Sequence, residues 1–491
     1  MRPAVRSFIR IAGIALLILG PAMALTFLVA VICGERRDSF SFLWLGFLIF
    51  AAGIGCRSLH RSNQKKVTLG DGFFIVTILW LLICAIGALP YLTCGILNPV
   101  DAFFESCSGF TTTGATLLRD PHELPHGILF WRAMTGWLGG IGILLIAITL
   151  MPALGLNGQR LNTPDNYGPV LEQFTLKMAG SIRRIGLIYI GLTLLETILL
   201  TISGMSLFNG AIHSMSTIST CGFSRYSDGI AHFQGPAIPL IISLFMICSG
   251  LNYFQFLQRP RNGVRAFFRS SEIRLYGIFL GAALILITAD LLLQNSAVMG
   301  ANEMTTVEAA LGALFHSASF LSTTGFASTY YGAWPAFAQT IMLVLMFCGA
   351  CTASPGGGLK IARVSILLKL IRHGISTRLH ANYFETVQMS GHGMASDTVS
   401  GVATMPFLFF TALFAGTFLL TFGNVTLSAA FNAAAACLCN TGHAFGVLAN
   451  GVFAEFGVVS KCVLSLLMLG GRLELYAIVI LLTPSYWTQG R

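Results

Sequence analysis

Four short polar runs, each with a glycine, have the residue types needed to bind a dehydrated cation. They are Thr111-Thr112-Thr113-Gly114, Ser219-Thr220-Cys221-Gly222, Ser322-Thr323-Thr324-Gly325 and Cys439-Asn440-Thr441-Gly442. The glycines recur at intervals of roughly one hundred residues, which indicates an internal repeat. A strand that alternates in backbone handedness can aim successive carbonyl oxygens at one line, and glycine adopts such a backbone readily. A ring of these oxygens can replace the water around a large alkali ion.

The elements that position these runs also repeat. In the first copy a long apolar stretch near 71–94 is followed by 101–110, where apolar residues recur at helical spacing over about three turns. That segment is too short to cross a membrane, so the unit is helix, half-helix, polar loop, helix. The same order returns at 207–223, 305–326 and 426–443. Irregular backbone at membrane depth must be packed in protein or line a cavity, and four loops that converge on one axis satisfy this.

Two interpretations of the polar runs are open. A single Thr-Gly pair is more typical of a residue pair that closes a loop or packs helices together. Four copies at matching positions in four repeats favour the lining of one pore.

The composition is that of an integral membrane protein, since 55% of the 491 residues are hydrophobic and 10% are charged. Apolar stretches of membrane-spanning length predict an all-α polytopic fold with about ten transmembrane helices. They lie near 8–33, 41–56, 71–94, 127–151, 185–203, 236–257, 275–293, 335–370 with a break, 401–422 and 456–483. The first stretch follows three arginines as in a signal peptide, but it continues to Cys33 and therefore predicts an uncleaved helix.

The net charge of +10 does not indicate nucleic-acid binding, because the basic residues occupy alternate loops. They cluster at 2–10, 57–66, 160–184, 259–274 and 369–378. The positive-inside rule therefore predicts cytoplasmic N- and C-termini and places all four polar runs on the outer side. The basic segments 257–274 and 369–380 could bind a cytosolic subunit or anionic membrane lipid, and the sequence does not separate these two partners.

An enzyme is not expected. His213, His316, Glu105 and Glu308 are scattered over separate half-helices, and the sequence contains no HExxH, GxSxG or nucleotide-binding motif. We therefore predict no organic cofactor in this chain. A secondary transporter with inverted repeats is the main alternative, but the four copies share one orientation, which favours a fourfold pore.

The run DAFFESCSGFTTTGAT at 101–116, together with WLGGIG at 137–142, resembles the TrkH/KtrB superfamily of potassium transporters and its TrkH branch in particular. The segments CGACTASPGGGLK at 348–360 and LGGRLE at 469–474 extend the resemblance over nearly the whole chain. It implies an N-terminal helix pair at 1–66 and four pseudo-symmetric helix–pore loop–helix repeats at 67–184, 185–274, 275–398 and 399–491.

The resemblance also implies a function and partners. These are potassium uptake across the bacterial inner membrane, a homodimer with one pore per subunit, and a cytosolic nucleotide-binding regulatory subunit of the TrkA type. Coupling to Na⁺ or H⁺ in a symporter, and a less selective K⁺/Na⁺ channel, are both left open.

By resemblance, twelve residues form a K⁺ selectivity filter. They are Thr112, Thr113, Gly114, Thr220, Cys221, Gly222, Thr323, Thr324, Gly325, Asn440, Thr441 and Gly442. Cys221 replaces a threonine, which a filter built from backbone carbonyls tolerates. His443 stands where relatives commonly have proline, and either carries a pH-sensitive charge or hydrogen-bonds to a neighbour. These departures predict an asymmetric ring.

A second set of residues would control gating. Proline and three glycines interrupt an apolar helix after Cys351, and by resemblance this break is an intramembrane gating loop, with a simple kink as the alternative. Its residues are Ala353, Ser354, Pro355, Gly356, Gly357, Gly358 and Lys360. Arg472 matches an arginine that in relatives points into the conduction path, where it would repel cations. Lys461, on the same stretch, is expected to extend to the membrane surface.

Overall fold

Long apolar helices account for most of the chain in the computed structural model. It describes residues 3–58, 69–150, 167–257, 270–294, 305–380, 388–389, 392–393, 396–473 and 475–484. The helices are α1 (Pro3–Ile32), α2 (Arg36–Ser58), α3 (Leu69–Thr93), α4 (Pro99–Phe110), α5 (His126–Leu150), α6 (Tyr167–Ile202), α7 (Leu207–Ile218), α8 (Ala237–Gly250), α9 (Tyr253–Leu257), α10 (Ser271–Leu293), α11 (Thr306–Ser322), α12 (Ala336–Cys348), α13 (Ile361–Leu379), α14 (Ser396–Thr421), α15 (Leu427–Leu438), α16 (Val458–Arg472) and α17 (Tyr476–Leu482). Two short strands, β1 (Gln388–Met389) and β2 (His392–Gly393), pair antiparallel.

Seven of these helices are long and apolar enough to cross a membrane, and α8 and α12 are shorter apolar helices. Many large apolar side chains point outward from them, among them Phe47, Leu187 and Phe407. In a bilayer such side chains face lipid, so no protein is needed to cover them. The predicted fold class, an all-α polytopic membrane protein, is confirmed.

Two predicted membrane stretches are interrupted. The apolar runs 236–257 and 456–483 were expected to be continuous, but α8 ends at Gly250 and α16 ends at Arg472, each followed by a short non-helical segment. Leu475 in the second break has a φ of +51°, and a Cβ added to Gly250 would collide with the hydroxyl of Tyr276. The apolar pattern of the sequence predicts neither break.

Four short helices, α4, α7, α11 and α15, are the half-helices expected from the repeat. Each begins with a side chain that caps the backbone N–H three residues later, which satisfies a donor that the first turn leaves free. The four caps are Asn98, Ser206, Thr305 and Thr426. A short 3₁₀ helix follows each polar run, at Pro121–Glu123, Gly229–His232, Tyr331–Ala333 and Gly446–Leu448. The division of the chain at 67, 185, 275 and 399 stays a prediction.

The half-helices form the centre of the molecule. Residues 433–438 of α15 have no solvent exposure, and most of α4, α7 and α11 is buried as well. Because the polar runs continue directly from these buried helix ends, they too are enclosed by protein.

Candidate ion-conduction site

Each polar run contains a three-residue segment with alternating backbone handedness. We call these segments filter strands 1 to 4: 112–114, 220–222, 323–325 and 440–442. Their first residues have φ of +52°, +57°, +59° and +54°, and their glycines have φ of +81°, +74°, +79° and +70°. The residue between them donates its N–H to a half-helix carbonyl at 2.8–2.9 Å in every strand. A non-glycine residue in this region costs about 1–2 kcal/mol, so four repeated instances show that the surrounding structure holds the backbone in place.

The four filter strands close into a ring. A Cβ added to Gly114 would collide with the carbonyl oxygen of Cys221, which belongs to strand 2. A Cβ on each of the other three glycines would likewise collide with a carbonyl oxygen of the next strand. Gly222 would meet that of Thr324, Gly325 that of Thr441, and Gly442 that of Thr113. The order 1, 2, 3, 4 and back to 1 brings together carbonyls that are more than a hundred residues apart. Glycine is required at all four positions because no side chain fits.

Several oxygens at the ring have no hydrogen-bond partner among the described residues. They are Thr112 Oγ1, Thr220 Oγ1, Thr441 Oγ1 and Asn440 Oδ1, and all four are buried. Buried hydroxyl and amide oxygens are normally hydrogen-bonded. The negative ends of the four half-helix dipoles also point at this place. The arrangement is therefore suited to a positively charged ligand.

The ring is not symmetric in its side chains. Thr113 Oγ1 is 2.8 Å from Thr111 Oγ1 and also accepts from Asn440 Nδ2 at 2.9 Å. Thr323 Oγ1, unlike its counterparts in strands 1 and 2, accepts the N–H of Gly357 at 2.6 Å. The amide of Asn440 thus joins strand 4 to strand 1, while strand 3 is bound by a different part of the chain.

That part is the segment 349–360 between α12 and α13, which we call the intramembrane loop. It lies against the end of the ring where the half-helices end: Gly356 approaches Ser322, and Gly357 approaches the carbonyl of Cys439 so closely that neither could carry a Cβ without displacement. Ala353 and Lys360 have φ of +53° and +74°. The break is therefore an extended loop and not a simple kink, while its role as a gate stays a prediction.

Two cationic side chains hold the intramembrane loop. Arg472 donates from Nη1 to the carbonyl of Pro355, and Lys360 donates from Nζ to the carbonyl of Gly356. Arg472 is 4% exposed, and its Nε and Nη2 have no hydrogen-bond partner in the described part of the chain. Its guanidinium therefore links the end of α16 to the intramembrane loop. The neighbouring Glu474 lies outside the described residues.

A carboxylate that sequence reasoning missed anchors the beginning of the loop. Glu272, in the first turn of α10, accepts from Thr352 N at 2.5 Å and from Thr352 Oγ1 at 2.9 and 3.0 Å. Asn252, in the break between α8 and α9, donates to the same carboxylate at 3.2 Å. The sequence signal for this contact is a single acidic residue, Glu272, at the start of an apolar stretch. The contact joins the loop to the first turn of α10 and to the break after α8.

The histidines on the half-helices do not belong to the ring. His213 and His316 each direct Nδ1 at the carbonyl four residues earlier, at 2.8 and 3.0 Å. His443 lies beside Gly325 and Gly451, and its Nδ1 has no hydrogen-bond partner among the described residues. Within those residues no group of three or more His, Cys, Asp or Glu side chains could hold a metal ion.

Lys461 differs from the expectation that it extends to the membrane surface. Its Nζ lies 2.7 Å from Asp101 Oδ1, and both side chains are less than one-fifth exposed. The pair joins α16 to the first turn of α4. A carboxylate more than three hundred residues away in the sequence is a partner that local pattern does not reveal.

Known proteins resemble this chain over its full length. The TrkH family, described as cation transport proteins, matches residues 39–488. The Trk system potassium uptake protein TrkH of Vibrio parahaemolyticus is 33% identical over 98% of this chain and 99% of the relative. That of Salmonella typhimurium is 31% identical over 99% of both. The crystal structure of the potassium transporter TrkH from Vibrio parahaemolyticus superposes with a TM-score of 0.88 at 29% identity, covering 99% of this chain and 100% of that one. The chain belongs to the TrkH family of cation transport proteins.

Proposed function

We propose that this protein takes up potassium across the bacterial inner membrane and that the four filter strands form its selectivity filter. The closed ring of strands is the observation that carries the proposal, because it sets four carbonyls against four glycines around one axis. The relatives named as potassium uptake proteins support the same ion. The transported K⁺ is cargo and not a resident cofactor.

The ion would be held by two kinds of oxygen. Backbone carbonyls of Thr113, Cys221, Thr324 and Thr441 supply one set, and the unpartnered side-chain oxygens of Thr112 and strand 4 supply another. Together they replace the hydration shell that K⁺ loses on entry. Cys221 contributes through its backbone, so the missing hydroxyl at that position does not interrupt the carbonyl set.

The intramembrane loop would act as the gate. It lies against the inner ends of strands 3 and 4, and the positive charges of Arg472 and Lys360 are held beside it. Fixed positive charge at this position opposes the passage of a cation. Conduction requires the loop to leave the ring, which breaks the hydrogen bond from Gly357 to Thr323 and the one from Arg472 to Pro355.

Regulation would reach the loop through α13, which begins directly after it. Arg372 and Arg378 on this helix are exposed and suit an acidic surface of a cytosolic nucleotide-binding subunit of the TrkA type or the headgroups of anionic lipid. We further propose a homodimer, cytoplasmic termini and a filter that opens to the outer side, in keeping with the distribution of basic loops.

Rescue of a bacterial strain that lacks its own potassium uptake systems tests this function. We expect the protein to restore growth at limiting K⁺ and to support ⁸⁶Rb⁺ uptake that excess K⁺ suppresses and excess Na⁺ does not. Protein that is present in the membrane yet supports no Rb⁺ uptake would contradict the proposal.

A further inference from the structure

A buried ion pair lies behind filter strands 1 and 2. Arg132 Nε in α5 is 2.7 Å from Glu105 Oε1 in α4, and the two side chains are 3% and 0% exposed. A buried ion pair recovers the cost of leaving water only when its geometry is good and its remaining polar atoms are hydrogen-bonded. The other hydrogen-bond partners of Glu105 and Arg132 therefore identify the segments that the ion pair holds in place.

The carboxylate of Glu105 binds the segment that leaves strand 1. It accepts from Thr116 Oγ1 at 2.9 and 3.2 Å and from the N–H of Leu117 at 3.0 Å. Thr116 stands two residues after Gly114. Glu105 thus fixes the outer end of strand 1 to its own half-helix.

Arg132 binds the segment that leaves strand 2. Its Nη1 donates to the carbonyl of Ser224 at 3.0 Å, and its Cζ lies 4.0 Å from the centre of the Phe223 ring. Phe223 and Ser224 directly follow Gly222. The planar guanidinium therefore makes three contacts at once, with a carboxylate, a carbonyl and an aromatic face, which a lysine cannot reproduce.

The other three junctions between neighbouring strands are held differently. Ile230 donates its N–H to the carbonyl of Ala327 at 2.9 Å between repeats 2 and 3, and Tyr331 Oη donates to the carbonyl of Ala444 at 2.8 Å between repeats 3 and 4. Repeats 4 and 1 meet through backbone hydrogen bonds of Thr116. Among the described residues, only strands 1 and 2 are joined behind the ring by a buried pair of opposite charges.

We propose that Arg132 and Glu105 are positioning residues that set the distance between filter strands 1 and 2 and thereby determine K⁺ over Na⁺ discrimination. The inference rests on the proposed filter function. The carbonyl of Cys221 in strand 2 directly faces Gly114 in strand 1. Movement of either outer end changes how closely those carbonyls surround the ion, and a filter whose strands shift can also coordinate a smaller cation.

Ion selectivity of variants in liposomes tests the proposal. Arg132→Lys retains the charge but loses the contacts with Ser224 and Phe223, and we expect its K⁺/Na⁺ permeability ratio to fall about tenfold, which corresponds to about 1.4 kcal/mol. Thr116→Val removes one donor to Glu105 without removing a charge and should lower the ratio by a smaller factor. This milder second variant keeps the test decisive should Arg132→Lys fold poorly.

Lys461→Met is the matched control. It breaks an ion pair of the same 2.7 Å length that involves the same half-helix α4, but within the described part of the chain neither Asp101 nor Lys461 has a hydrogen bond or ion pair with a filter strand. We expect a lower melting temperature and an unchanged permeability ratio. A wild-type ratio in both Arg132→Lys and Thr116→Val, or an equal loss in Lys461→Met, would overturn the positioning role. Absence of K⁺ preference in the wild-type protein would instead refute the proposed filter itself.

Discussion

The variant Gly325→Ser is the most direct mutational test of the ring of filter strands. Gly325 has a φ of +79°, and a Cβ at this position would collide with the carbonyl oxygen of Thr441. The variant Gly325→Ser must therefore move strand 3 away from strand 4. We expect K⁺ over Na⁺ selectivity to weaken and ⁸⁶Rb⁺ uptake to fall.

The expected magnitude has two parts. A side chain in the left-handed region costs about 1–2 kcal/mol, and forcing an atom into a packed site costs about 1–3 kcal/mol more. Only the cost of the collision changes the spacing between strands 3 and 4. If K⁺ binding loses that amount, its affinity falls between about 5-fold and about 150-fold.

Gly446 allows the two parts to be separated. It has a φ of +66° and lies beyond strand 4, where an added Cβ meets nothing within 4 Å. Gly446→Ser therefore carries backbone strain without a collision. Reversal potentials of purified variants in liposomes, with K⁺ on one side and Na⁺ on the other, should change for Gly325→Ser alone, whereas melting temperatures should fall for both.

The reasoning would be refuted by a wild-type K⁺/Na⁺ ratio in Gly325→Ser when the protein is monodisperse and reconstituted at equal density. It would also be refuted if Gly446→Ser lost selectivity to the same extent. Either result would show that contact between strands does not govern ion choice.

Three further predictions concern the loop and the ring. Arg472→Ala removes a positive charge and a hydrogen bond to the loop, so ⁸⁶Rb⁺ flux at equal expression should rise, and unchanged flux would count against the gate. Glu272→Ala leaves the N–H and hydroxyl of Thr352 without their acceptor, so it should lower the melting temperature and also raise flux; a stable variant with normal flux would show that this anchor is dispensable. Thr112→Val removes an oxygen that has no hydrogen-bond partner among the described residues, so the apparent affinity for Rb⁺ should fall without loss of thermal stability, and the reverse pattern would assign the hydroxyl a structural role.

Much of the site follows from local sequence signals. The caps Asn98, Ser206, Thr305 and Thr426 are residue types that begin helices, and the recurrent glycines predict a backbone of alternating handedness, which all four filter strands adopt. The repetition makes these signals reliable, because each of the four copies needs a helix cap and a glycine at the same place. The half-helices and their polar runs could therefore be predicted in the correct order.

The contacts between repeats could not be predicted in the same way. Glu272, Lys461 and Arg472 each bind a partner supplied by a distant part of the chain, and spacing along one helix carries no information about it. Arg132 is a local signal of such a contact, because an arginine inside the apolar run 127–151 requires a buried partner. Glu105, judged alone as a scattered acid, is that partner.

The breaks after Gly250 and Arg472 have a similar explanation. Neither is marked by proline, in contrast to the intramembrane loop, where Pro355 and three glycines interrupt the helix. Each break lies within a longer apolar run that holds only a few polar residues, among them Asn252 in one and Arg472 with Glu474 in the other, so the apolar pattern predicts one continuous helix. Only the fold shows that these two apolar helices are interrupted close to the ring, as the helix that holds Pro355 is.

Ion flux through the purified wild-type protein in liposomes tests the central claim most directly. With the membrane potential clamped and no Na⁺ or pH gradient, the proposed filter predicts a K⁺ flux that follows the K⁺ gradient and a reversal potential close to that of K⁺ when Na⁺ is on the other side. A reversal potential near zero under the same opposed gradients, or a flux that appears only when a Na⁺ or pH gradient is imposed, would contradict a potassium-selective pore formed by the four filter strands.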